Sequence, residues 1–565
     1  MTEKLLAEQS ETLGRRTLLK CAVGLAGGAA VSMAQPFGAA SAKSGAEAIA
    51  EAKSGSRLRS PNYHPPVVEA RAGKVRGFRD GRTTAFLGIP YAEADRFEPP
   101  KPVRPWLGIR SAQVWGPVCP IPDMTEPGGD EFVFPHRYWL QNEHCQVLNV
   151  WTQSTSRTAK KPVMVWFHGG GFVNGSSMES YAYTGKNLSE YGDVVVVSMN
   201  HRLNVIGALD LSAYGPGYAN SRYTGVADMV AALHWVHDNI EAFGGDPANV
   251  TIFGQSAGGS EVARMLHTPA AKGLFHRVIA ESGGGENLEA TDPAEMIHIQ
   301  RMIAAATLEN LNLRGNQIDK LKAISYPQLL AAGNGALMAV ARKLGRPGLG
   351  WKVIADDRYI LRKFCDWAGG IPLMAGNTFS ENIGTLAQGT GKNEWTGKEI
   401  DDRLTAQYGK TKEEVVVEFR KAFPRKKVQD VLYYSADLRD RLKVLLNGKL
   451  KVSRAPAYSY IFAYEYPVNG GITAFHCSEI AFVFHNLAVP ELKIATGGAA
   501  VAFALQDKVS QAWINFARTG NPGQRGLEWK PFTATDPQTM VFDIVSECRA
   551  LHDGKLSSLI SQKSA

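Results

Sequence analysis

The sequence predicts an α/β fold built around a large, mostly parallel sheet. Residues 162–167 and 193–198 are short runs rich in valine and other apolar residues, which is typical of strands covered on both faces. Residues 225–243 repeat apolar side chains at helical spacing, and a strand, a turn and a second helix follow over residues 249–267. Strands that alternate with helices in this way indicate a parallel sheet flanked by helices.

The chain on either side of this core predicts how the domain is completed. Short strands separated by glycines between residues 67 and 90 predict an antiparallel edge ahead of the main sheet. Residues at about 290–350 and 382–450 are long helical stretches that interrupt the strand rhythm, so we interpret them as insertions that cap the carboxyl edge of the sheet. Residues 67–565 are therefore predicted to form a single domain with helical cap insertions.

The first 42 residues have the features of a targeting segment. Arg15 and Arg16 precede a mildly apolar run at residues 21–33, and Ala-Ser-Ala at 40–42 resembles a cleavage site. Paired arginines before a weak apolar run indicate a twin-arginine signal peptide, which the twin-arginine export machinery reads. We therefore expect a periplasmic or secreted bacterial protein from which residues 1–42 are removed.

Two further features of the sequence bear on its location. The run at residues 21–33 is short and rich in Gly and Ala, and no other stretch is long and apolar enough to span a bilayer, so we expect no stable membrane anchor. Residues 43–66 are rich in Ala, Ser and Lys and predict a flexible N-terminal linker.

The charge of the chain does not indicate a nucleic-acid partner. The net charge is +8, but the 62 basic residues are spread among 54 acidic ones. The densest basic cluster, at residues 420–427, matches no nucleic-acid-binding motif. The sequence also contains neither H-E-x-x-H nor C-x-x-C, and we expect neither a metal nor an organic cofactor.

A G-x-S-x-G pattern identifies a candidate nucleophile. The apolar strand at residues 250–253 runs directly into Gly254-Gln255-Ser256-Ala257-Gly258, and residues 260–267 have helical spacing. Strand, sharp turn and helix are the context of a nucleophile elbow, in which glycines tolerate the crowding on either side of the serine. The pattern predicts that Ser256 presents its hydroxyl at the edge of the sheet.

A second glycine-rich turn supplies candidate hydrogen-bond donors. His168-Gly169-Gly170-Gly171-Phe172 follows the strand at residues 162–167. Successive glycines can turn their backbone amides toward one point, which is what an oxyanion hole requires. This turn and the G-x-S-x-G pattern are separate halves of one kind of site.

A serine nucleophile needs a base, which in this arrangement comes last in the chain. His476, His485 and His552 are the histidines that lie beyond a plausible acid. His476 follows a strand at residues 457–466 and a glycine-containing loop, so it is the preferred base. His485 lies in an apolar run, where a core or surface histidine is the expected role.

The acid that orients the base should follow a strand that lies between the serine and the histidine in sequence. Glu381 follows a short strand at residues 371–375 and fits this position best. Asp356 and Asp357 compete with it, and the spacing alone leaves them open.

The chain resembles the type-B carboxylesterase family of α/β-hydrolases over roughly residues 67–545. The matching stretches are 86–92, 96–97, 143–151, 168–172, 200–203, 239–247, 249–259, 476–484 and 513–522. The resemblance implies an α/β-hydrolase fold with a large, mostly parallel central sheet flanked by helices. It also implies a serine carboxylic-ester hydrolase that acts on small-molecule esters through a Ser-His-Glu triad and an acyl-enzyme, without a cofactor.

The resemblance assigns roles to matching residues. Ser256 matches the family nucleophile, Glu381 the acid and His476 the base, and this match favours Glu381 over Asp356 and Asp357.

The same match implies the oxyanion donors and a disulfide. The backbone donors would be the amides of Gly170, Gly171 and Ala257. Cys119 and Cys145 match the first disulfide of the family.

Arg96 and Glu143 match a structural ion pair of the family.

Two other positions depart from the family pattern. The family usually has Glu before the nucleophile, but this chain has Gln255. The negative charge that would attract cationic esters is therefore missing. Cys477 follows the base where glycine is common, and we interpret it as a small buried side chain.

Two alternatives remain open from the sequence. The same machinery could act on amides or thioesters, or the chain could be a non-catalytic binding or adhesion protein on the esterase scaffold. The nucleophile, base, acid and H-G-G-G turn are all present, which favours the esterase.

Overall fold

The computed structural model describes residues 64–122, 131, 133–382 and 391–561. The predicted signal peptide at 1–42, all but the last three residues of the linker at 43–66, and residues 383–390 of the second insertion lie outside the described residues. The described residues from Pro65 onward belong to one compact unit.

The strands are β1 (Val67–Ala70), β2 (Gly73–Arg76), β3 (Phe78–Asp80), β4 (Thr83–Pro90), β5 (Ile109–Ser111), β6 (Val147–Thr152), β7 (Lys161–Phe167), β8 (Val195–Met199), β9 (Gly245–Gln255), β10 (Arg277–Glu281), β11 (Leu373–Thr378), β12 (Ala457–Phe462), β13 (Gln538–Phe542) and β14 (Glu547–Ala550). The α-helices are α1 (Lys186–Gly192), α2 (Asn204–Ala208), α3 (Thr224–Asn239), α4 (Ala257–Met265), α5 (Pro293–Asn310), α6 (Tyr326–Leu344), α7 (Gly397–Tyr408), α8 (Lys412–Ala422), α9 (Ala436–Val452), α10 (Ile480–Val483), α11 (Pro490–Lys493), α12 (Ala500–Thr519) and α13 (Gly554–Ser561).

Eleven strands form one sheet in the order β14-β13-β12-β11-β10-β9-β7-β8-β6-β4-β3. Neighbouring strands from β13 to β8 in this order run parallel, and the pairs at both ends of the sheet run antiparallel. The predicted α/β fold with a mostly parallel sheet is confirmed.

Helices cover both faces of the central strands because the apolar side chains of each strand alternate between two cores. On β7, Val165 and Phe167 join a core with Leu233 of α3. Met164 and Trp166 point the other way and join a core with Trp513 of α12. This period of two is the geometry of a strand, and it explains why residues 163–167 read as one continuous apolar run.

The edge predicted from residues 67–90 is divided between two sheets. β3 and β4 form the antiparallel edge of the main sheet, whereas β1, β2 and β5 form a separate three-stranded sheet with β2 in the centre. Because short strands pair with whichever partner lies near in space, sequence alternation alone could not separate these two destinations.

The two stretches interpreted as insertions are helical. Residues 290–350 contain α5 and α6, and residues 382–450 contain α7, α8 and most of α9. Among the described residues, no helix combines the length and the apolar character needed to cross a membrane.

Candidate active site

A cavity of about 570 Å³ lies at the carboxyl ends of neighbouring parallel strands. It is lined by residues that follow β7, β9, β10, β11 and β12, among them Gly171, Ser256, Ser282, Glu381 and His476. Lys352, α9 and the end of α13 form its other walls. Carboxyl ends of parallel strands are where open α/β sheets bind ligands. Other cavities are as large, so the chemistry of the lining distinguishes this one.

Ser256 occupies a sharp turn between β9 and α4. Its backbone has φ of 59° and ψ of −121°, a conformation that non-glycine residues rarely adopt. The turn needs small neighbours, because a Cβ atom added at Gly258 would lie 2.1 Å from the carbonyl oxygen of Phe167. The backbone N–H of Ser256 donates to the carbonyl of Glu281 at 2.8 Å. The predicted strand, turn and helix are therefore present around this serine.

The loop after β7 turns its backbone at Gly170 and Gly171, whose φ angles are 105° and 66°. It is closed by the amide of Asn174, which donates to the carbonyl of Gly170 at 2.9 Å. A Cβ atom at Gly170 would lie 2.2 Å from the carbonyl oxygen of Asn174, so only glycine fits there. Gly171 and Ala257 both line the cavity. Ala257 is the first residue of α4, where backbone N–H groups have no partner within the helix.

His476 and Glu381 form a hydrogen-bonded pair in the cavity that Ser256 also lines. Nδ1 of His476 lies 2.5 Å from Oε2 of Glu381. The other carboxylate oxygen of Glu381 accepts from the hydroxyl of Ser282 at 2.8 Å and from the backbone amide of Thr378 at 2.7 Å. The acceptor role of the carboxylate makes Nδ1 the donor, so Nε2 of His476 is the nitrogen that can accept a proton.

The competing acids bind arginines elsewhere. Asp356 accepts from Nη2 of Arg222 at 3.3 Å, and Asp357 accepts from Nε of Arg362 at 2.7 Å. The structure thus brings Glu381, and neither aspartate, to His476.

The competing histidines also lie apart from the serine. Nε2 of His485 lies 2.9 Å from Asp507, and its ring stacks on that of Tyr191 with centroids 4.0 Å apart. His552 is exposed. Neither lines the cavity that contains Ser256.

Comparison with known proteins identifies the family of this chain. The model of the carboxylesterase family matches residues 64–555. The chain belongs to the carboxylesterase family. It is 32% identical over 487 residues to the para-nitrobenzyl esterase of Bacillus subtilis strain 168, covering 84% of this chain and 94% of that protein.

Solved esterases have the same fold. An esterase from the anaerobe Clostridium hathewayi, described as able to hydrolyse aliphatic aromatic polyesters, is 40% identical with a TM-score of 0.80, covering 88% of this chain and 99% of that one. A carboxylesterase of Geobacillus stearothermophilus is 32% identical with a TM-score of 0.67, covering 87% and 99%. The protein is a carboxylic ester hydrolase with the α/β-hydrolase fold.

In this carboxylesterase an uncharged amide lies against the imidazole. The side chain of Gln255 is fully buried, and its Nε2 lies 3.3 Å from Nδ1 and 3.4 Å from Nε2 of His476. Gln255, at which the chain departs from the family pattern, is therefore in direct contact with the candidate base.

Sequence reasoning missed a layer of acidic side chains behind Glu381. Burial, reinforced by the charges of Glu281 and Glu381, raises the pKa of Glu479 well above its usual value. Burial also raises the pKa of Glu281 to about 8, although the indole N–H of Trp513 donates to it at 2.7 Å. Ser282 links this layer to the site, since its hydroxyl lies 3.3 Å from Glu479 as well as 2.8 Å from Glu381. The available signal was position: Glu281 is the last residue of β10, the strand next to the nucleophile strand, and Ser282 follows it.

Cys119 and Cys145 are both buried thiols in the structure. Burial, followed by the hydrogen bond with Cys119, raises the pKa of Cys145 well above its usual value. Their disulfide stays a prediction. The ion pair implied for Arg96 and Glu143 is present, with Nε of the arginine 2.7 Å from the carboxylate.

Within the described residues, no group of three or more His, Cys, Asp and Glu side chains could hold a metal ion.

Proposed function

We propose that this carboxylesterase cleaves small-molecule esters through an acyl-enzyme formed on Ser256, with His476 as base and Glu381 as its partner. The observation that carries the proposal is the 2.5 Å hydrogen bond between His476 and Glu381 in the cavity that contains Ser256. A serine hydroxyl is a weak nucleophile by itself and needs such a base, oriented by a third group.

Acylation begins when Oγ of Ser256 attacks the ester carbonyl and Nε2 of His476 takes the hydroxyl proton. Glu381 keeps Nδ1 protonated and stabilises the imidazolium that forms. Its own orientation is held by the donors from Ser282 and Thr378. The base is thus oriented before substrate arrives.

The tetrahedral intermediate carries a negative oxygen, and the amides of Gly170, Gly171 and Ala257 are the proposed donors to it. Their loops meet at the cavity, and the positive φ angles of the two glycines support amides that turn inward. One such donor is typically worth about 100- to 1,000-fold in kcat.

The intermediate collapses when its bond to the alkoxide breaks and the imidazolium of His476 returns the proton to that oxygen. A water molecule then attacks the acyl-enzyme, with His476 again taking and returning a proton, and the acid is released from Ser256. His476 carries each proton that is transferred in these two steps, so the proposed reaction needs no cofactor. The buried amide of Gln255 supports uncharged esters as substrates.

An organophosphate that phosphorylates activated serines tests the proposal. Mass spectrometry should find one adduct, on Ser256, and Ser256→Ala should abolish both the adduct and ester hydrolysis. Ser260 lines the same cavity, so Ser260→Ala is the matched control and should keep the adduct. Rates on matched acetyl ester, thioester and anilide substrates would separate the esterase from the amide and thioester alternatives. Absence of an adduct from an active preparation would contradict the nucleophile.

We also propose export through the twin-arginine route, supported by the Arg15-Arg16 pair and the apolar run that follows it. Replacing both arginines by lysine should retain the protein in the cytoplasm of a bacterial host. The same change at Arg57 and Arg59 of the linker is the matched control and should leave export intact. Equal export of the two variants would contradict the proposal.

A further inference from the structure

Residues 200–204, which follow β8, contact both ends of the glycine-rich loop at residues 168–174. Asn204 contacts the C-terminal end of this loop. The backbone N–H of Asn204 donates to the carbonyl of Phe172 at 2.9 Å. Its side-chain Nδ2 donates to the carbonyl of Val173 at 3.1 Å and to that of Pro120 at 3.0 Å. Asn204 has φ of 47°, which asparagine tolerates better than most residues, and it is 1% exposed. Three hydrogen bonds therefore tie this buried residue to its surroundings, two of them to the loop.

The same segment contacts the loop at its near end. The rings of His168 and His201 stack with centroids 4.7 Å apart and planes 24° from parallel. His168 also hydrogen-bonds from Nδ1 to the carbonyl of Gly169 at 2.9 Å. His201 in turn contacts Glu261, with Nε2 and Oε1 3.2 Å apart. All three ionisable side chains are buried.

Glu261 belongs to α4, the helix whose first residue is Ala257. The contact of His201 with Glu261 therefore joins the glycine-rich loop to the helix that follows Ser256. The proposed oxyanion donors come from both of these elements, so their spacing depends on how the elements are held together.

We propose that His201 and Asn204 are positioning residues of the oxyanion hole. The backbone of Gly170, Gly171 and Phe172 has φ of 105°, 66° and 65°, and such conformations persist where the surroundings fix them. Glycine by itself supplies freedom and no constraint. Donors work when they are held within about 0.5 Å of the productive geometry, and the contacts at the two ends of the loop provide that restraint. The inference rests on the proposed function of this cavity.

Kinetics of three variants test it. Asn204→Gly keeps the left-handed backbone and its N–H donor but deletes the side-chain bonds to Val173 and Pro120. His201→Leu deletes the stacked ring, and His201→Phe restores a ring. We expect the first two to lower kcat by about tenfold with KM changed by less than about twofold, and His201→Phe to recover most of the rate.

The matched control is His267→Leu. His267 is also buried and packs on an aromatic ring, that of Phe364, with centroids 4.2 Å apart and planes 33° from parallel, and it follows the opposite end of α4. It makes no described contact with the glycine-rich loop and should keep the activity of the unmodified protein.

A trifluoromethyl ketone that matches the ester provides the decisive readout, because its adduct on Ser256 places an oxyanion in the hole. Its Ki should rise in each variant by the factor by which kcat/KM falls. The positioning role would be overturned if the variants lost thermal stability but kept a normal Ki. It would also be overturned if KM alone rose. If Ser256→Ala were as active as the unmodified protein, the proposed function itself would fail, and this inference with it.

Discussion

The thiol of Cys477 donates a hydrogen bond to the side-chain oxygen of Gln255 at 3.2 Å. The amide nitrogen of the same glutamine contacts the imidazole of His476, at 3.3 Å from Nδ1. The two positions at which the chain departs from the family pattern are therefore in contact, and one of them touches the candidate base. Cys477 has φ of 73°, a backbone conformation that glycine adopts more readily than other residues.

Gln255→Glu should move the acid limb of the pH profile of kcat/KM upward by about one unit. An ionised carboxylate beside the imidazole favours the imidazolium and raises the pKa of His476, and the base acts only when it is unprotonated. The ratio of rates on a cationic ester and its neutral isostere should also rise. Gln300→Glu, at another buried glutamine on α5, is the matched control. An unmoved acid limb in an active Gln255→Glu variant would contradict this account.

Both glycine-rich turns could be predicted from sequence because their signals are local. An apolar strand followed by several glycines needs no knowledge of distant contacts, and Ser256 and Gly171 do line one cavity. Glu381 could not be chosen over Asp356 from spacing, since the choice depends on which strand lies beside which. β11 neighbours β10 in the sheet, and that pairing brings Glu381 to Ser282.

The buried acidic pair next to the site, Glu281 and Glu479, could not be predicted from the sequence for a related reason. Glu281 and Glu479 are far apart in sequence, and their shared burial exists only after β10 and the loop after β12 are packed together. β13 and β14 were missed because strands of five and four residues carry little periodicity of their own. Their pairing with β12 and with each other defines them.

Ser282→Ala should lower kcat by about tenfold and leave KM nearly unchanged. The hydroxyl is one of two described donors to Oε1 of Glu381, and hydrogen bonds to charged groups contribute about 1.5–3 kcal/mol. Ser380→Ala is the matched control, because the buried hydroxyl of Ser380 has no hydrogen-bond partner among the described residues. Steady-state kinetics of both variants on one ester checks the expectation. Equal activities would show that Glu381 does not depend on this donor.

The Cys119 and Cys145 pair should behave differently in exported and cytoplasmic protein. Both side chains are buried and inaccessible to an alkylating reagent, and burial also raises the pKa of the Cys145 thiol, so neither cysteine should react in the folded protein. After unfolding without reductant, we expect both to be alkylated in protein made without residues 1–42 and retained in the cytoplasm. In exported protein they should react only after reduction. Alkylation of both in exported, unfolded, unreduced protein would rule out the predicted disulfide.

Glu281→Gln should make the stability of the protein less dependent on pH between 4.5 and about 8. The folded pKa of Glu281 is raised from its usual 4.5 to about 8 by burial. Below pH 4.5 the carboxyl is protonated in both states, so its contribution to stability is fully present. As the pH rises toward 8, the unfolded chain releases this proton and the folded protein retains it. The free energy of unfolding therefore falls by about 1.4 kcal/mol per pH unit in this window.

Glutamine has no proton to release, and its amide oxygen can still accept from the indole N–H of Trp513. The stability of Glu281→Gln relative to the unmodified protein should therefore increase by about 4 kcal/mol between pH 5 and pH 8. Urea unfolding at both pH values measures this difference. Glu309→Gln, at an exposed position on α5, should change the stability equally at the two pH values. A pH-independent difference for Glu281→Gln as well would mean that Glu281 is already ionised in the folded protein at pH 5.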